Sequence, residues 1–232
     1  MRLFCFPYAG GSAMYYYNWK NYLDESFELI PVEYAGRGRR IEEPLNMHLI
    51  ELVDDLFNKL AVLMNQDKQY ALYGHSMGAK VAFALCQKIA SMNIQPPVHV
   101  FCSGSGSPYM RIRDRLLHDL DDIEFKHEIL AMGGTTTEFF AQKELLQFYM
   151  PILKNDLKLA ESNLGFTDFR LNCNITVMNG NEDKITIAQI IGWQQTTTGK
   201  CIFYNFKGRH FFINDQKKEV IGIINKTLLS NN

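Results

Sequence analysis

The sequence predicts an α/β fold: a mostly parallel, doubly wound sheet carrying a helical insertion. Three observations predict it. Short apolar runs of strand length alternate with longer runs whose apolar residues recur at helical spacing, the pattern of β-α-β units. Gly74-His75-Ser76-Met77-Gly78 stands between one such strand run and one such helix run. The alternation lapses once, between about 118 and 165, where only helical patterns occur. With 232 residues, 47% hydrophobic and 21% charged, the chain suits one domain over 1–232 with a sizeable core.

In chain order, residues 3–6 read as a first strand that runs into Pro7 and the glycine loop Tyr8-Ala9-Gly10-Gly11. Residues 27–34 read as a second strand, closed by Gly36-Arg37-Gly38. Leu49, Leu52, Val53, Leu56, Leu60 and Leu63 make an amphipathic helix. Tyr70-Ala71-Leu72-Tyr73 is a buried strand, and 79–89 reads as the helix after the glycine-flanked serine. A fourth strand covers 98–102 and ends at Ser103-Gly104. The helical stretch from about 118 to 165 is broken at Gly133-Gly134 and Pro151 and is rich in Phe139, Phe140, Phe148, Tyr149 and Leu153. Such an insertion between sheet strands reads as a lid over the strand C-termini. Strands at 175–178 and 202–205 follow, and Val220, Ile221, Ile224 and Leu228 mark a last helix.

Composition excludes several classes. A formal net charge of −1 offers no broad basic field for nucleic acid. The five cysteines show no metal or redox spacing; Cys5, Cys102 and Cys201 sit in apolar strand runs and read as small buried hydrophobes of a reducing compartment. No run approaches the roughly 20 apolar residues of a membrane span. A cytoplasmic monomer is the expectation.

The chemistry begins at Ser76. G-x-S-x-G between a strand and a helix is a nucleophile elbow, in which glycines let strand and helix approach while the serine is aimed out of the turn. A serine hydroxyl needs a base and a group to orient that base. The α/β-hydrolase fold supplies them in the chain order serine, acid, histidine. Of six histidines only His210 follows a late strand; His48, His75, His99, His118 and His127 read as surface or packed imidazoles. Asn179-Gly180-Asn181-Glu182-Asp183 follows the strand at 175–178, which makes Asp183 the acid and Glu182 its neighbouring alternative. Asp156 and Asp215 fall outside the required order. The developing oxyanion needs two N–H donors: Met77, next to the serine, and Ala9 of the first glycine loop, with Tyr8 second.

These motifs, taken together, resemble the type II thioesterases, the stand-alone editing enzymes of nonribosomal peptide and polyketide synthesis. Phe6-Pro7-Tyr8-Ala9-Gly10-Gly11-Ser12-Ala13 is similar to their opening F-P-x-A-G-G-S-A, and Gly74-His75-Ser76-Met77-Gly78 to their G-H-S-M-G. Gly36-Arg37-Gly38-Arg39-Arg40 resembles their P-G-R-G-x-R, with Ala35 in place of proline. Leu120-Asp121-Asp122, Gly133-Gly134, Pro151 and Asp156 echo their lid segment, and Gly180-Asn181-Glu182-Asp183 their acid motif. Gly208-Arg209-His210-Phe211-Phe212 is similar to the histidine motif, with Arg209 where glycine is usual. The resemblance implies hydrolysis of short or aberrant acyl groups from the phosphopantetheine thiols of carrier proteins. Ser76 would be the nucleophile, with no metal and no cofactor beyond the phosphopantetheine of the substrate. A general esterase or medium-chain acyl thioesterase is the neighbouring alternative, and a non-catalytic carrier-binding protein the alternative of another class. Arg37, Arg39 and Arg40 read as a solvated loop, with contact to an acidic carrier as the sharper option.

Overall fold

A computed structural model of the chain describes residues 1–64, 68–110, 116–162 and 168–230. Six strands form one sheet: β1 (Arg2–Phe6), β2 (Glu28–Pro31), β3 (Tyr70–His75), β4 (His99–Ser103), β5 (Asn174–Gly180) and β6 (Cys201–Phe206). They are all parallel, in the order β2-β1-β3-β4-β5-β6. Parallel strands need crossovers, and these place helices on both faces. Side chains alternate between the faces: Phe4 and Phe6 enter one core, Leu3 and Cys5 the other. The first core is closed by α1 (Leu49–Met64) and α2 (Met77–Ser91), the second by the 3-10 helix Ala13–Asn21 and the C-terminal α8 (Lys217–Leu229). In α1, Leu49, Leu52, Val53, Leu56 and Leu60 are buried, each worth about 1.5–3 kcal/mol of hydrophobic transfer.

The winding order positions the site. The chain goes outward from β1 to β2, then returns to lay β3 on the other side of β1. Strand C-termini at such a reversal open a crevice, because the connections leave in opposite directions. Here the register sets Phe6 opposite Gly74, His75 opposite Ser103 and Ser103 opposite Met178. The glycine loop after β1 and the serine turn after β3 therefore leave the sheet side by side.

Between β4 and β5 the described residues form α3 (Asp122–Met132), α4 (Thr137–Ala141) and α5 (Lys143–Glu161), with their own core of Leu117, Leu120, Phe125, Ile129, Leu153 and Leu157. The expected boundary near 165 lies outside the described residues. Two further short α-helices are α6 (Ile187–Ile191) after β5, continued by the 3-10 turn Gly192–Thr196, and α7 (Phe212–Asp215) after β6. Among the described residues no helix is long and apolar enough to cross a membrane.

Three readings are corrected and one unforeseen element is added. The second strand is Glu28–Pro31, not 27–34: it is the sheet edge, Pro31 brings no N–H to a ladder, and Tyr34 turns inward to donate its hydroxyl to the Pro7 carbonyl at 3.0 Å. The helix Ala13–Asn21 was not expected; its buried residues Ala13, Tyr16 and Trp19 recur every three positions, the 3-10 repeat. Cys5 and Cys102 are buried, but Cys201 opens an edge strand and is half-buried. Arg37, Arg39 and Arg40 are not a solvated patch. Arg37 is buried against Asp156, and Arg40 lies between Glu43 and Asp55 at 2.6 and 2.8 Å. Arg39 alone is exposed, over the Tyr17 ring.

Candidate active site

Ser76 occupies the one-residue turn between β3 and α2, at φ 55° and ψ −117°. A non-glycine residue held there stores strain of about 1–3 kcal/mol, and the surroundings must over-determine it. The two flanking glycines supply that constraint. A Cβ on Gly74 would strike the Gly78 backbone, and a Cβ on Gly78 would lie 2.8 Å from the Pro7 oxygen and 2.7 Å from the Phe6 carbonyl carbon. Strand, helix and glycine loop are thus in backbone contact, and Ser76 N–H is tied to Ser103 O at 2.7 Å.

Asp183 and His210 lie beyond the ends of β5 and β6, on loops that interlock. Gly180 faces the carbonyls of Gly208 and Arg209 with no room for a side chain. Asn181 N–H donates to Phe206 O at 2.8 Å, and Glu182 N–H to Gly208 O at 2.9 Å. His210 Nδ1 lies 2.8 Å from Asp183 Oδ2, and His210 Nε2 lies 2.9 Å from Ser76 Oγ. A carboxylate only accepts, so Nδ1–H donates to Asp183 and Nε2 is left to accept from the serine hydroxyl. The other Asp183 oxygen accepts from Lys184 N–H at 2.7 Å. Glu182, the alternative acid, is exposed.

The remaining histidines lie elsewhere. His75 is buried, with Nδ1 2.9 Å from Ser103 Oγ and its ring packed 5.3 Å from that of His210. Burial and the neighbouring His210 hold its pKa well below the usual range, so it stays neutral. Burial draws His99 down to about 4; it meets Thr176. His118 contacts Glu161 at 2.7 Å, while His48 and His127 are exposed.

Met77 is the first residue of α2, where a helix N–H has no intrahelical acceptor. Ala9 lies in the Tyr8–Gly11 turn. Gly11 N–H donates to Tyr8 O at 2.8 Å, and because a trans peptide points its N–H opposite its C=O, the Ala9 N–H is turned outward. Among the described residues neither the Ala9 nor the Met77 amide has an acceptor. Both border the cavity onto which Ser76, Asp183 and His210 open. Its volume is about 300 Å³. Its walls are apolar where α3 and α5 supply Ile129, Met132, Leu153 and Leu157, and polar at Lys80 and Glu161.

Several residues take roles at the site that the sequence reading did not assign. Asp156, on α5, accepts from Gly10 N–H at 2.7 Å and is paired with Arg37, whose guanidinium also reaches Gly11 O at 3.2 Å. Tyr149 OH donates to Gly10 O; burial pushes its phenol up to about 12, so it keeps that proton. Lys80, buried in α2, donates to Ala160 O at 2.6 Å and to Ser162 O at the end of α5. Burial draws its ammonium down to about 8 against the opposing pull of Glu161. A lysine inside the apolar run Met77–Phe83 was a legible signal of a buried charge.

Known proteins place this geometry in context. The thioesterase domain family matches residues 1–228. Thioesterase PikA5 of Streptomyces venezuelae is 34% identical over 233 residues, covering 99% of this chain and 81% of that protein. The medium-chain S-acyl fatty acid synthase thioesterase of Rattus norvegicus is 30% identical over 216 residues, covering 91% and 81%. The crystal structure of ClbQ from the colibactin NRPS/PKS pathway superimposes with a TM-score of 0.91 at 35% identity, covering 99% of this chain and 97% of that one.

Proposed function

The chain belongs to the thioesterase domain family, and from that premise we propose that it is a type II thioesterase that clears short or aberrant acyl groups from carrier proteins of nonribosomal peptide or polyketide synthesis. One observation carries the catalytic reading: the Ser76–His210–Asp183 chain, linked at 2.9 and 2.8 Å, opens on a cavity bordered by two outward amides.

Ser76 Oγ attacks the thioester carbonyl carbon while His210 Nε2 takes its proton. Asp183 fixes the ring through Nδ1–H and stabilises the imidazolium, a role whose loss in other serine hydrolases costs several orders of magnitude. The carbonyl electrons move onto oxygen, facing the Ala9 and Met77 N–H groups. The tetrahedral adduct collapses, the C–S bond breaks as His210 Nε2–H gives its proton to the departing sulfur, and phosphopantetheine leaves as the free thiol with His210 neutral again. Water then attacks the acyl-Ser76 ester, giving its proton to His210. The free acid departs and Ser76 recovers its hydrogen. Every group comes from the chain itself, and phosphopantetheine enters only with the substrate.

In this reading the helical segment of α3, α4 and α5 serves as a lid within a single domain. Carrier domains of a synthetase are the partners, and a cytoplasmic monomer is the working form. The apolar walls and the rat relative support a second reading, a medium-chain acyl thioesterase. Turnover of acetyl and octanoyl groups on the same carrier, beside a free nitrophenyl ester, separates the readings. Preference for the acetyl carrier supports editing, preference for octanoyl supports the medium-chain reading, and preference for the free ester overturns both.

A further inference from the structure

We propose that α5 is part of the charge-stabilising apparatus: Asp156 and Tyr149 are positioning residues that fix the Tyr8–Gly11 turn, so that one helix sets both the acyl wall and the oxyanion donor. The inference rests on the serine-hydrolase reading above and deepens it.

Most polar backbone groups of the loop have a partner that can be named. Phe6 O accepts from Tyr16 OH at 2.9 Å and Pro7 O from Tyr34 OH at 3.0 Å, both anchored in the sheet cores. Tyr8 O accepts from Gly11 N–H, and Gly11 O from Arg37. Gly10 is different. Its N–H donates to Asp156 and its C=O accepts from Tyr149, so both of its peptide links are held by α5. Gly10 adopts φ +75°, and a Cβ there would press on Tyr149 and on Leu153, which leaves α5 and the loop in direct contact. The peptide that α5 grips at Gly10 N–H adjoins the peptide that carries Ala9 N–H. Tilting α5 rotates the first and redirects the second.

Charge sharpens the point. A lone Asp156 carboxylate, 1% exposed, directly behind an oxyanion donor would repel the oxygen it serves. Arg37 neutralises it through two guanidinium–carboxylate contacts, which lets a carboxylate hold Gly10 without opposing the negative charge. Tyr149, Leu153 and Leu157 of the same helix line the cavity. An acyl chain seated against them presses on the element that aims the donor, so the fit of the acyl group reaches the reaction centre through kcat as well as KM.

The test uses Tyr149→Phe and Asp156→Asn in the full chain. Tyr149→Phe keeps the ring packed 5.3 Å from Phe139 and removes only the hydroxyl, so it stays informative where loss of a buried charge weakens folding. Two readouts are taken: kcat and KM on an acetyl carrier, and affinity for an alkylboronic acid, which forms a tetrahedral anion on Ser76. Misaiming one donor predicts a kcat loss of about tenfold for Tyr149→Phe and about a hundredfold for Asp156→Asn, with boronate affinity falling in step and KM within about twofold. Boronate affinity that stays at the wild-type value in a folded Tyr149→Phe protein overturns the inference. A wild-type enzyme that binds boronate through Ser76 but leaves the acetyl carrier intact sinks the carrier reading alone; the boronate arm still decides the role of α5.

Discussion

Gly78→Ala is the substitution that tests the site's construction most sharply. The added methyl would lie 2.7 Å from the Phe6 carbonyl carbon and 2.8 Å from the Pro7 oxygen, both backbone atoms with no rotamer to yield. Ordinary contact requires α2 and the glycine loop to separate by about 1 Å. Folding tolerates this: alanine gains up to about 1 kcal/mol of helix propensity, against about 1–3 kcal/mol for overpacking. With the full propensity gain the net loss is about 0–2 kcal/mol, which lowers the melting temperature by at most several degrees in a chain of this size. Catalysis does not tolerate it, because the separation pulls apart the two elements that carry the Met77 and Ala9 amides. A misplacement of about 1 Å costs about a hundredfold in rate. The assay is kcat on an acetyl carrier beside a thermal melt. A Gly78→Ala protein that melts near the wild type and keeps its kcat would refute the argument that helix and loop are fixed against each other.

Asp183→Asn leaves the fold intact and lowers kcat about 10⁴-fold with little change in KM, measured on the same substrate; a loss below tenfold would remove Asp183 from its role. Gly222→Ala, on the exposed side of α8 where a methyl meets nothing within 4 Å, raises stability by about 0.5–1 kcal/mol in urea unfolding without touching activity. Lys80→Met tests the buried ammonium. Its folded-state value near 8 lies below the ordinary 10.5, so between these the unfolded chain binds more protons and wild-type stability rises with pH. Relative to Lys80→Met, the wild type gains about 3 kcal/mol as pH goes from 7 to above 10.5 in urea unfolding; parallel pH curves for the two proteins would contradict it.

What the sequence reveals and conceals follows from the range of the interactions. The strand Tyr70–His75 is visible as a short run that is apolar and buried throughout, and the last helix because its burial recurs at helical spacing. Ser76, Asp183 and His210 are visible because each sits just past a strand in a glycine-marked loop, so position in the fold and position in the chain coincide. The Arg37–Asp156 pair is not visible that way: its partners are 119 residues apart, and neither one's neighbours announce the other. A row of arginines then reads as solvent-facing although Arg37 is the counter-charge of Asp156 and Arg40 is paired with Glu43 and Asp55. Tyr149 is hidden for a related reason, since an aromatic on an apolar helix face predicts packing and gives no hint of a hydroxyl held by Gly10. The helix Ala13–Asn21 lies between these cases, legible only to a search at a period of three.

The central claim is Ser76-dependent cleavage of a carrier thioester. Intact-protein mass spectrometry of an acetyl-loaded carrier, incubated with the wild type and with Ser76→Ala, reads it directly. The account predicts loss of the acetyl mass with the wild type only. Retention of the acetyl group in both, beside a known thioesterase that removes it, would contradict the account.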